Sequence, residues 1–197
     1  NKLDKLRNKF GEKNFFYLLD LNDSKKLVNS LELISSEHKD IDILINNAGI
    51  TDDNLFLRMK AEQWNSVINV NLNSNFFIIK SVLSNMIRNK KGNIIGISSV
   101  VAHTGNPGQA NYTASKSALI SMYKSLALEV AQRNIRINLI SPGFIESPMT
   151  DKLNEVQKDN IMQKIPMKKF GNPNDIANLA LFLSSDISNY ITGQTIH

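Results

Sequence analysis

The sequence predicts an α/β domain built on a mostly parallel sheet that helices cover on both faces. Helical patterns alternate with short apolar runs along the whole chain, which is the order expected of such a sheet. The run at residues 15–19 is continuously apolar, as in strands that are buried on both faces. With 197 residues, 42% of them hydrophobic and 21% charged, the chain can fill the core of one such domain.

Five strands are predicted from short apolar runs. They are residues 15–19, 41–45, 93–98, 135–140 and 191–196. The helices are predicted from apolar residues at helical spacing and from capping residues. The first is residues 2–10, and the second begins at a cap, Asn22 or Asp23, and runs to about residue 37. Residues 62–88 form one or two helical pieces, and residues 146–164 form a mobile helical segment. The other two helices are residues 111–133 and 175–183. Glycine and proline make residues 102–109 a loop.

Composition and charge exclude several kinds of function. The chain has no cysteine, which excludes disulfides, cysteine-ligated zinc and thiol nucleophiles and fits a reducing compartment. Its net charge of +5 comes from scattered residues, and the cluster of Arg88, Lys90 and Lys91 is too short for a nucleic-acid footprint. No apolar run approaches the ~20 residues that span a bilayer. We expect a cytoplasmic protein, with an organelle left open, that has no metal site, nucleic-acid partner or membrane span.

The residues that carry chemistry begin with Tyr112 and Lys116 in the predicted helix 111–133. Residues four apart share one face of a helix, and an ammonium beside a phenol lowers the pKa of the phenol. Such a pair suits a group that transfers a proton near neutral pH. Taken alone, an ordinary exposed pair on a helix is the better interpretation of this spacing.

Three predicted strand ends carry small or polar residues. Ser98 and Ser99 end one strand, residues 46–49 (Asn-Asn-Ala-Gly) follow another, and Pro142-Gly143 follows a third. In an open α/β sheet, ligands bind beyond the carboxyl ends of the strands. Individually these residues are strand caps and tight turns. Together they predict a ligand site at one edge of the sheet, where the Ser99 hydroxyl would polarise a carbonyl.

These motifs, taken with Asn71, resemble the short-chain dehydrogenase/reductase family over the whole chain, in order and at compatible spacings. The resemblance is carried by Asn46-Asn47-Ala48-Gly49, Asn71, Ser99, Tyr112-x-x-x-Lys116 and Pro142-Gly143. Within the family, residues 50–51, 53–55, 58–60, 105–112, 142–145 and 190–193 are similar to the 3-oxoacyl-[acyl-carrier-protein] reductases. The resemblance implies a Rossmann-like, doubly wound parallel sheet. It also implies NADPH-dependent reduction of a carrier-bound 3-oxoacyl group to the (3R)-hydroxyacyl product in fatty acid biosynthesis.

The resemblance further implies a catalytic tetrad of Asn71, Ser99, Tyr112 and Lys116. Tyr112 donates a proton to the substrate carbonyl oxygen while the cofactor supplies hydride. Ser99 hydrogen-bonds that oxygen, and Lys116 lowers the Tyr112 pKa and binds the nicotinamide ribose. Asn71 holds a water that relays protons through Lys116. From residue type alone, Asn71 is equally a satisfied polar group that kinks a helix.

Contacts to cofactor and substrate follow from the same resemblance. Asp20 and Leu21 flank the adenine, Ile145 contacts the nicotinamide carboxamide, and residues 146–164 form a lid over the acyl chain. The remaining implied contacts are to the cofactor from Asn47, Ala48, Gly49, Tyr112, Lys116, Pro142 and Gly143, and to the substrate from Ser99, Gln109 and Tyr112.

Lys90 and Arg133 are candidates for docking the carrier protein. Acyl carrier proteins are acidic, so a positive rim near the pocket would steer them to it. A solvated face of the protein is at least as good an interpretation of these two cations.

The family pattern is not matched at the front or the end of the chain. No G-x-G-x-x-G phosphate loop follows a predicted strand,, and the first two strands and the closing segment of the family are missing. We therefore expect residues 1–197 to be a single reductase domain, truncated at both ends, that binds cofactor poorly by itself. Strand 15–19 should be loosely attached or paired with 41–45. The determinant of NADP over NAD lies in the missing part, so NAD stays open.

Other functions also stay open, as does the oligomeric state. One is a reductase of the same family that acts on a small alcohol, sugar or steroid. Another is an inactive fragment or a non-catalytic binding scaffold. For the full-length protein, the complete tetrad argues against a non-catalytic role. The resemblance implies a homotetramer in which the helices 71–88 and 111–133 meet across an interface. Phe76, Phe77 and Met122 would serve that interface or the core.

Overall fold

A computed structural model describes residues 2–11, 13–147, 150 and 154–197. In this part of the chain, four parallel strands form one sheet: β1 (Ile43–Asn46), β2 (Gly92–Ile97), β3 (Ile135–Ile140) and β4 (Thr195–Ile196). They are hydrogen-bonded in the order in which they occur along the chain. Each connection between successive strands contains helix, as the crossover between parallel strands requires. The predicted α/β class with a parallel sheet is confirmed.

Helices fill the connections and precede the sheet. They are α1 (Lys2–Phe10), α2 (Ser24–Glu37), α3 (Ala61–Ile68), α4 (Ser74–Asn89), α5 (Val101–Thr104), α6 (Ala110–Val130), α7 (Glu155–Lys164) and α8 (Pro173–Ser184). One turn of π-helix, Asn69–Asn73, joins α3 to α4. Of the two possibilities left open for residues 62–88, the structure has two helical pieces, which a π turn joins. In the described part of the chain, no helix combines the length and apolar character that crossing a membrane requires.

Successive residues of β2 and β3 point into two separate cores. Ile94 and Ile137 pack against α4 and α6 on one face of the sheet. Ile95 and Ile140 pack against Leu183 of α8 on the other face. Because neighbouring strand residues alternate between faces, a strand that is covered on both sides needs a continuous apolar run. This packing explains the pattern from which the strands were predicted.

The predicted strand at residues 15–19 is wrong. The segment is irregular and pairs with no described strand, and Phe15 and Leu18 are 69% and 83% exposed. The pairing with residues 41–45, one of the two predicted arrangements, is also absent among the described residues. An apolar run becomes a strand only where a neighbour satisfies its backbone groups. Here the Phe15 ring stacks on His38, just beyond α2, with ring centroids 4.5 Å apart.

Two other predictions are modified. Residues 102–109 are not all loop, because Val101–Thr104 form the short helix α5. The predicted lid at 146–164 is only partly described, since residues 148, 149 and 151–153 lie outside the described residues. Its described helix, α7, is capped by the Asn154 side chain, which accepts a hydrogen bond from the Gln157 amide.

Candidate active site

The four residues of the predicted tetrad lie around the carboxyl edge of the sheet. Ser99 follows β2, Tyr112 and Lys116 lie in the first turns of α6, and Asn71 lies in the π turn. The Ser99 hydroxyl lies near enough to the Tyr112 hydroxyl to lower the pKa of the phenol, and its oxygen accepts a hydrogen bond from the Val101 amide at 3.4 Å. The Lys116 amine is 5.7 Å from the centroid of the Tyr112 ring. Tertiary structure therefore brings together hydroxyl and amine groups that are up to seventeen positions apart in sequence.

Hydrogen bonds from buried side chains attach α6 to the end of β2. Lys116 Nζ donates to the carbonyl oxygen of Ile97, the last residue of β2, at 2.7 Å. The Ser98 hydroxyl donates to the Lys116 carbonyl at 3.0 Å. Further along the helix, the Ser117 hydroxyl donates to the carbonyl of Ala102 at 2.8 Å. These bonds fix the position of the helix that carries Tyr112 relative to Ser99.

The pKa of Tyr112 is raised, which is the opposite of the predicted direction. Burial of the phenol is the main cause, and the negative charge of Asp53 adds to it, while the hydrogen bond with Ser99 lowers the pKa. Lys116 does not depress it, because its ammonium is directed to the Ile97 carbonyl. Tyr112 consequently keeps its proton at neutral pH, as a proton donor must.

Lys116 is an amine held almost completely out of water. The residue is 4% exposed, and burial lowers the pKa of its amine from 10.5 to about 8. Gly49 makes close approach possible at this point: a Cβ there would lie 3.2 Å from Lys116 Nζ and 3.4 Å from Asn71 Oδ1. Any larger residue at position 49 would therefore push against both side chains.

Asn71 is fully buried, and its carboxamide is hydrogen-bonded on both sides. Nδ2 donates to the Ile50 carbonyl and to Ser115 Oγ, each at 3.0 Å, and Oδ1 accepts from the Ile50 amide at 2.8 Å. The residue is thus a satisfied polar group within a distorted helix, the second of the two interpretations that its type allows. It also holds the loop after β1 beside Lys116. Its role in a proton relay stays a prediction.

Asn111 is a further buried residue whose importance the sequence did not reveal. Its Nδ2 donates to the carbonyl oxygens of Asp52 and Gln63 at 2.9 and 3.3 Å, and its Oδ1 accepts from the Tyr112 amide at 2.8 Å. The side chain therefore ties the loop after β1 and helix α3 to the start of α6. Its position directly before Tyr112 was the available signal, but an asparagine at a helix start is by itself an ordinary capping residue.

Gln109 connects the two loops that flank Tyr112. Its Nε2 donates to Asp53 Oδ2 at 2.8 Å, and its Oε1 accepts from Asn106 Nδ2 at 2.9 Å. The carboxamide lies at the mouth of the site but is engaged by protein groups. Its predicted contact with substrate stays a prediction.

The predicted cofactor residues lie along the same edge. Asn47, Ala48 and Gly49 follow β1, and Pro142 and Gly143 follow β3. The residues before α2 approach this edge too, since Asn69 Nδ2 of the π turn donates to Asn22 Oδ1 at 3.3 Å. That contact brings the neighbouring pair, Asp20 and Leu21, close to the π turn. Ile145, the last of the set, pairs with Gly171 in a single parallel bridge.

Lys90 and Arg133 are not brought to this site. Lys90 precedes β2 and Arg133 precedes β3, so both lie at the amino ends of the strands. In a parallel sheet the amino and carboxyl ends form opposite edges. The two cations therefore form no positive rim beside the pocket of their own chain, and their part in docking a carrier protein stays a prediction.

The comparisons with known proteins agree with this geometry. A family model described as enoyl-(acyl carrier protein) reductase matches residues 1–197. The chain belongs to the short-chain dehydrogenase/reductase family. Relatives with assigned names are similar to it over most of its length. The resemblance noted from the motifs is thereby confirmed.

Three of these relatives carry the name 3-oxoacyl-[acyl-carrier-protein] reductase. The protein from Buchnera aphidicola subsp. Schizaphis graminum is 50% identical over 191 residues, 96% of this chain and 78% of the relative. That from Rickettsia felis is 55% identical over 165 residues, 84% of this chain and 68% of the relative. That from Thermotoga maritima is 47% identical over 180 residues, 91% of this chain and 73% of the relative.

Membership in the short-chain dehydrogenase/reductase family implies a nicotinamide cofactor. The residues at the carboxyl edge fit its nicotinamide end, because the edge offers a buried amine, a phenol and open backbone. A Cβ on Gly143 would meet no atom within 4 Å, so a flat ring can approach the backbone there. At Gly49 the Lys116 amine and the Asn71 carboxamide already fill that space.

Proposed function

We propose that the protein reduces 3-oxoacyl groups carried on acyl carrier protein to (3R)-hydroxyacyl groups, with NADPH as the reductant. The observation that carries the proposal is the position of the buried Lys116 amine, 5.7 Å from the centroid of the Tyr112 ring, with Ser99 near the Tyr112 hydroxyl. The substrate is inferred from the names of relatives that are 47–55% identical to the chain. NADPH over NADH is inferred from the resemblance to the same group of reductases.

Tyr112 is the proposed proton donor. Its raised pKa keeps the phenol protonated at neutral pH, and the Ser99 hydroxyl would hydrogen-bond the carbonyl oxygen that takes the proton. A bound reduced nicotinamide would supply hydride to the carbonyl carbon. The ketone thus gains one hydride and one proton and becomes a secondary alcohol.

Lys116 is the proposed source of the replacement proton. An amine with a pKa of about 8 is mostly protonated at pH 7 and gives up its proton more readily than an ordinary lysine. Asn71, bonded to the loop that touches Lys116, would keep that end of the site in position for the relay.

The reaction is tested by following NADPH oxidation with acetoacetyl-acyl carrier protein as substrate. We expect turnover, and we expect Tyr112→Phe to lower kcat by a factor on the order of 10²–10⁴, the usual contribution of a general acid. Tyr190→Phe is the matched control, because that ring is 99% exposed and should be neutral. Equal rates for Tyr112→Phe and the unaltered protein would contradict the proposed role.

The substrate and reductant are tested in the same assay. A crotonoyl carrier thioester probes enoyl reduction, to which the description of the family model refers, and a panel of small alcohols, sugars and steroids probes the other members of the family. We expect the 3-oxoacyl thioester to have the highest kcat/KM, and NADPH to exceed NADH. Preference for the crotonoyl thioester, or no carbonyl reduction with either nucleotide, would overturn the proposal.

We also propose that the protein is a homotetramer. Phe76 on α4 is 49% exposed and Leu128 on α6 is 82% exposed, so each helix has an apolar residue outside the core of the single chain. Phe77 and Met122 are only partly exposed, and Met122 packs against the core. Light scattering should give four times the mass of the chain, and a stable monomer would contradict the proposal.

A further inference from the structure

A chain of buried polar side chains lies behind Asn71, outside the four tetrad residues. Tyr123 of α6 is 1% exposed, and Asn75 of α4 is 4% exposed. The Tyr123 hydroxyl donates to Asn75 Oδ1 at 2.8 Å and accepts from Asn46 Nδ2 at 2.9 Å. Asn75 Nδ2 in turn donates to the backbone carbonyl of Asn71 at 2.9 Å. The end of β1, the middle of α6 and the start of α4 are thus connected through side chains beneath the π turn.

This placement is costly unless every polar group is paired. Tyr123 lies within the larger apolar core, among residues of β2, β3 and α4. Burial raises the pKa of its phenol far above the usual value, so the hydroxyl stays a neutral donor. An apolar ring such as that of phenylalanine would fill the same space. Polar groups buried there without a hydrogen-bond partner would be destabilising. The hydroxyl therefore calls for an explanation beyond packing.

The neighbouring strand is adapted to admit the Tyr123 ring. Gly96 of β2 faces it, and a Cβ at that position would lie 2.6 Å from two ring carbons and 2.7 Å from the hydroxyl oxygen. Glycine weakens a strand interior and is found where something must approach the backbone closely. Glycine at position 96 thus leaves the space that the Tyr123 ring and hydroxyl occupy.

The distorted turn is the element that this arrangement supports. Within the π turn the Ser74 amide bonds to the Asn69 carbonyl, five residues back, and such turns occur mostly at functional sites. Asn75 adds a donor to the Asn71 carbonyl inside that turn. On its other side the Asn71 carboxamide reaches Ser115 Oγ, which donates to the Tyr112 carbonyl at 2.7 Å. One continuous set of hydrogen bonds therefore joins Asn46 to the helical turn that carries Tyr112.

We propose that Tyr123 and Asn75 are positioning residues for the reaction. Through the Asn71 carbonyl they hold the π turn, and the π turn holds the Asn71 carboxamide against Ile50 and Ser115. The inference rests on the proposed function, because it assigns the two residues an effect on turnover. Neither touches substrate or cofactor, so both act through Asn71.

Tyr123→Phe tests the proposal by removing one oxygen while keeping the ring. We expect kcat to fall roughly tenfold with KM within about twofold, because only the alignment of the reacting groups changes. Val82→Ala is the matched control: it removes apolar contacts from α4 in the same core and should lower stability without lowering kcat. If Val82→Ala lowers kcat as much at equal loss of stability, the effect is general and the proposal is overturned.

A double-mutant cycle locates the effect. In an Asn71→Ala background, Tyr123→Phe should lower kcat no further, since the residue through which it acts is gone. The same tenfold loss in both backgrounds would overturn the proposal. Asn75→Leu, which removes the donor to the Asn71 carbonyl, should reproduce the kcat loss and carries the same test if Tyr123→Phe does not fold.

Hydrogen exchange of the Asn71 side-chain amide gives a readout that does not depend on turnover. In the unaltered protein both hydrogens of the Asn71 side-chain amide are hydrogen-bonded. They should exchange slowly with solvent, and NMR measures the rate. Tyr123→Phe should speed their exchange by tenfold or more, and Val82→Ala should not. Faster exchange without any 3-oxoacyl reductase activity would leave the positioning role standing and refute the proposed function. Normal activity with unchanged exchange would refute the positioning role alone.

Discussion

Residues 15–19 and the strand β3 are similar in sequence and opposite in structure. Both are short apolar runs, yet Leu18 is 83% exposed whereas Ile137 and Leu139 are 0% and 1% exposed. β3 has a hydrogen-bonded strand on each side, and residues 15–19 pair with no described strand. The difference shows that an apolar run joins a sheet only when a neighbouring strand pairs with its backbone.

The largest expected effect is on stability. Leu139→Ala should lower the free energy of unfolding by about 2–5 kcal/mol, the usual result of emptying a packed core site. Leu18→Ala should change it by less than about 0.5 kcal/mol, because the side chain loses little contact. Urea unfolding of both variants measures the contrast. A loss at Leu18 as large as at Leu139 would mean that residues 15–19 are packed in solution.

Lys116 provides the next largest effect, through pH. Its pKa in the folded state is about 8 rather than 10.5 because of burial, so the unfolded state binds more protons between these values and stability rises with pH. Relative to Lys116→Met, the protein should gain about 3 kcal/mol in unfolding free energy from pH 8 to 10.5, taking about 1.4 kcal/mol per pKa unit.

Lys26 gives the opposite sign in an exposed setting. Its pKa is raised by the hydrogen bond and charge of Asp23, so its contribution is lost as pH rises through the folded-state value. Relative to Lys26→Met, the unaltered protein should therefore show no gain in unfolding free energy as the pH rises. A flat difference between the unaltered protein and Lys116→Met across this range would show that the Lys116 amine is hydrated.

The smallest effect concerns Asp53 and Tyr112. The Asp53 charge is the weakest of the named causes that act on the Tyr112 pKa and it raises that pKa, so Asp53→Asn should lower the Tyr112 pKa slightly. The Tyr112 pKa is measured by titrating the phenolate absorbance of each variant and subtracting the titration of the same variant with Tyr112→Phe added. Asp52→Asn is the matched control, since Asp52 accepts a hydrogen bond from Gln63 instead. An upward shift in Asp53→Asn would contradict the electrostatic account.

Much of the fold and the location of the site could be predicted from the sequence. The strands from β1 to β4 and the caps of α2 and α8 depend on local patterns that a short window contains. Because the carboxyl ends of parallel strands share one edge, three strand-end motifs were enough to predict where Ser99 and Tyr112 would meet. That Lys90 and Arg133 lie at the opposite edge of the sheet could not be predicted, because net charge says nothing about which edge a cation occupies.

The sequence by itself determined the alternation of helices and strands, the edge at which ligands would bind, and the residues with reactive groups. These follow from the periodicity of side chains along a single element. Tertiary structure alone decided that residues 15–19 stay out of the sheet, that Tyr112 has a raised pKa, and that Tyr123 is bonded beneath the π turn. Each of these depends on groups that are far apart in the chain, such as Asn46 and Tyr123, which are 77 positions apart. Burial and hydrogen-bond partners are properties of neighbours in space, and no local pattern contains them.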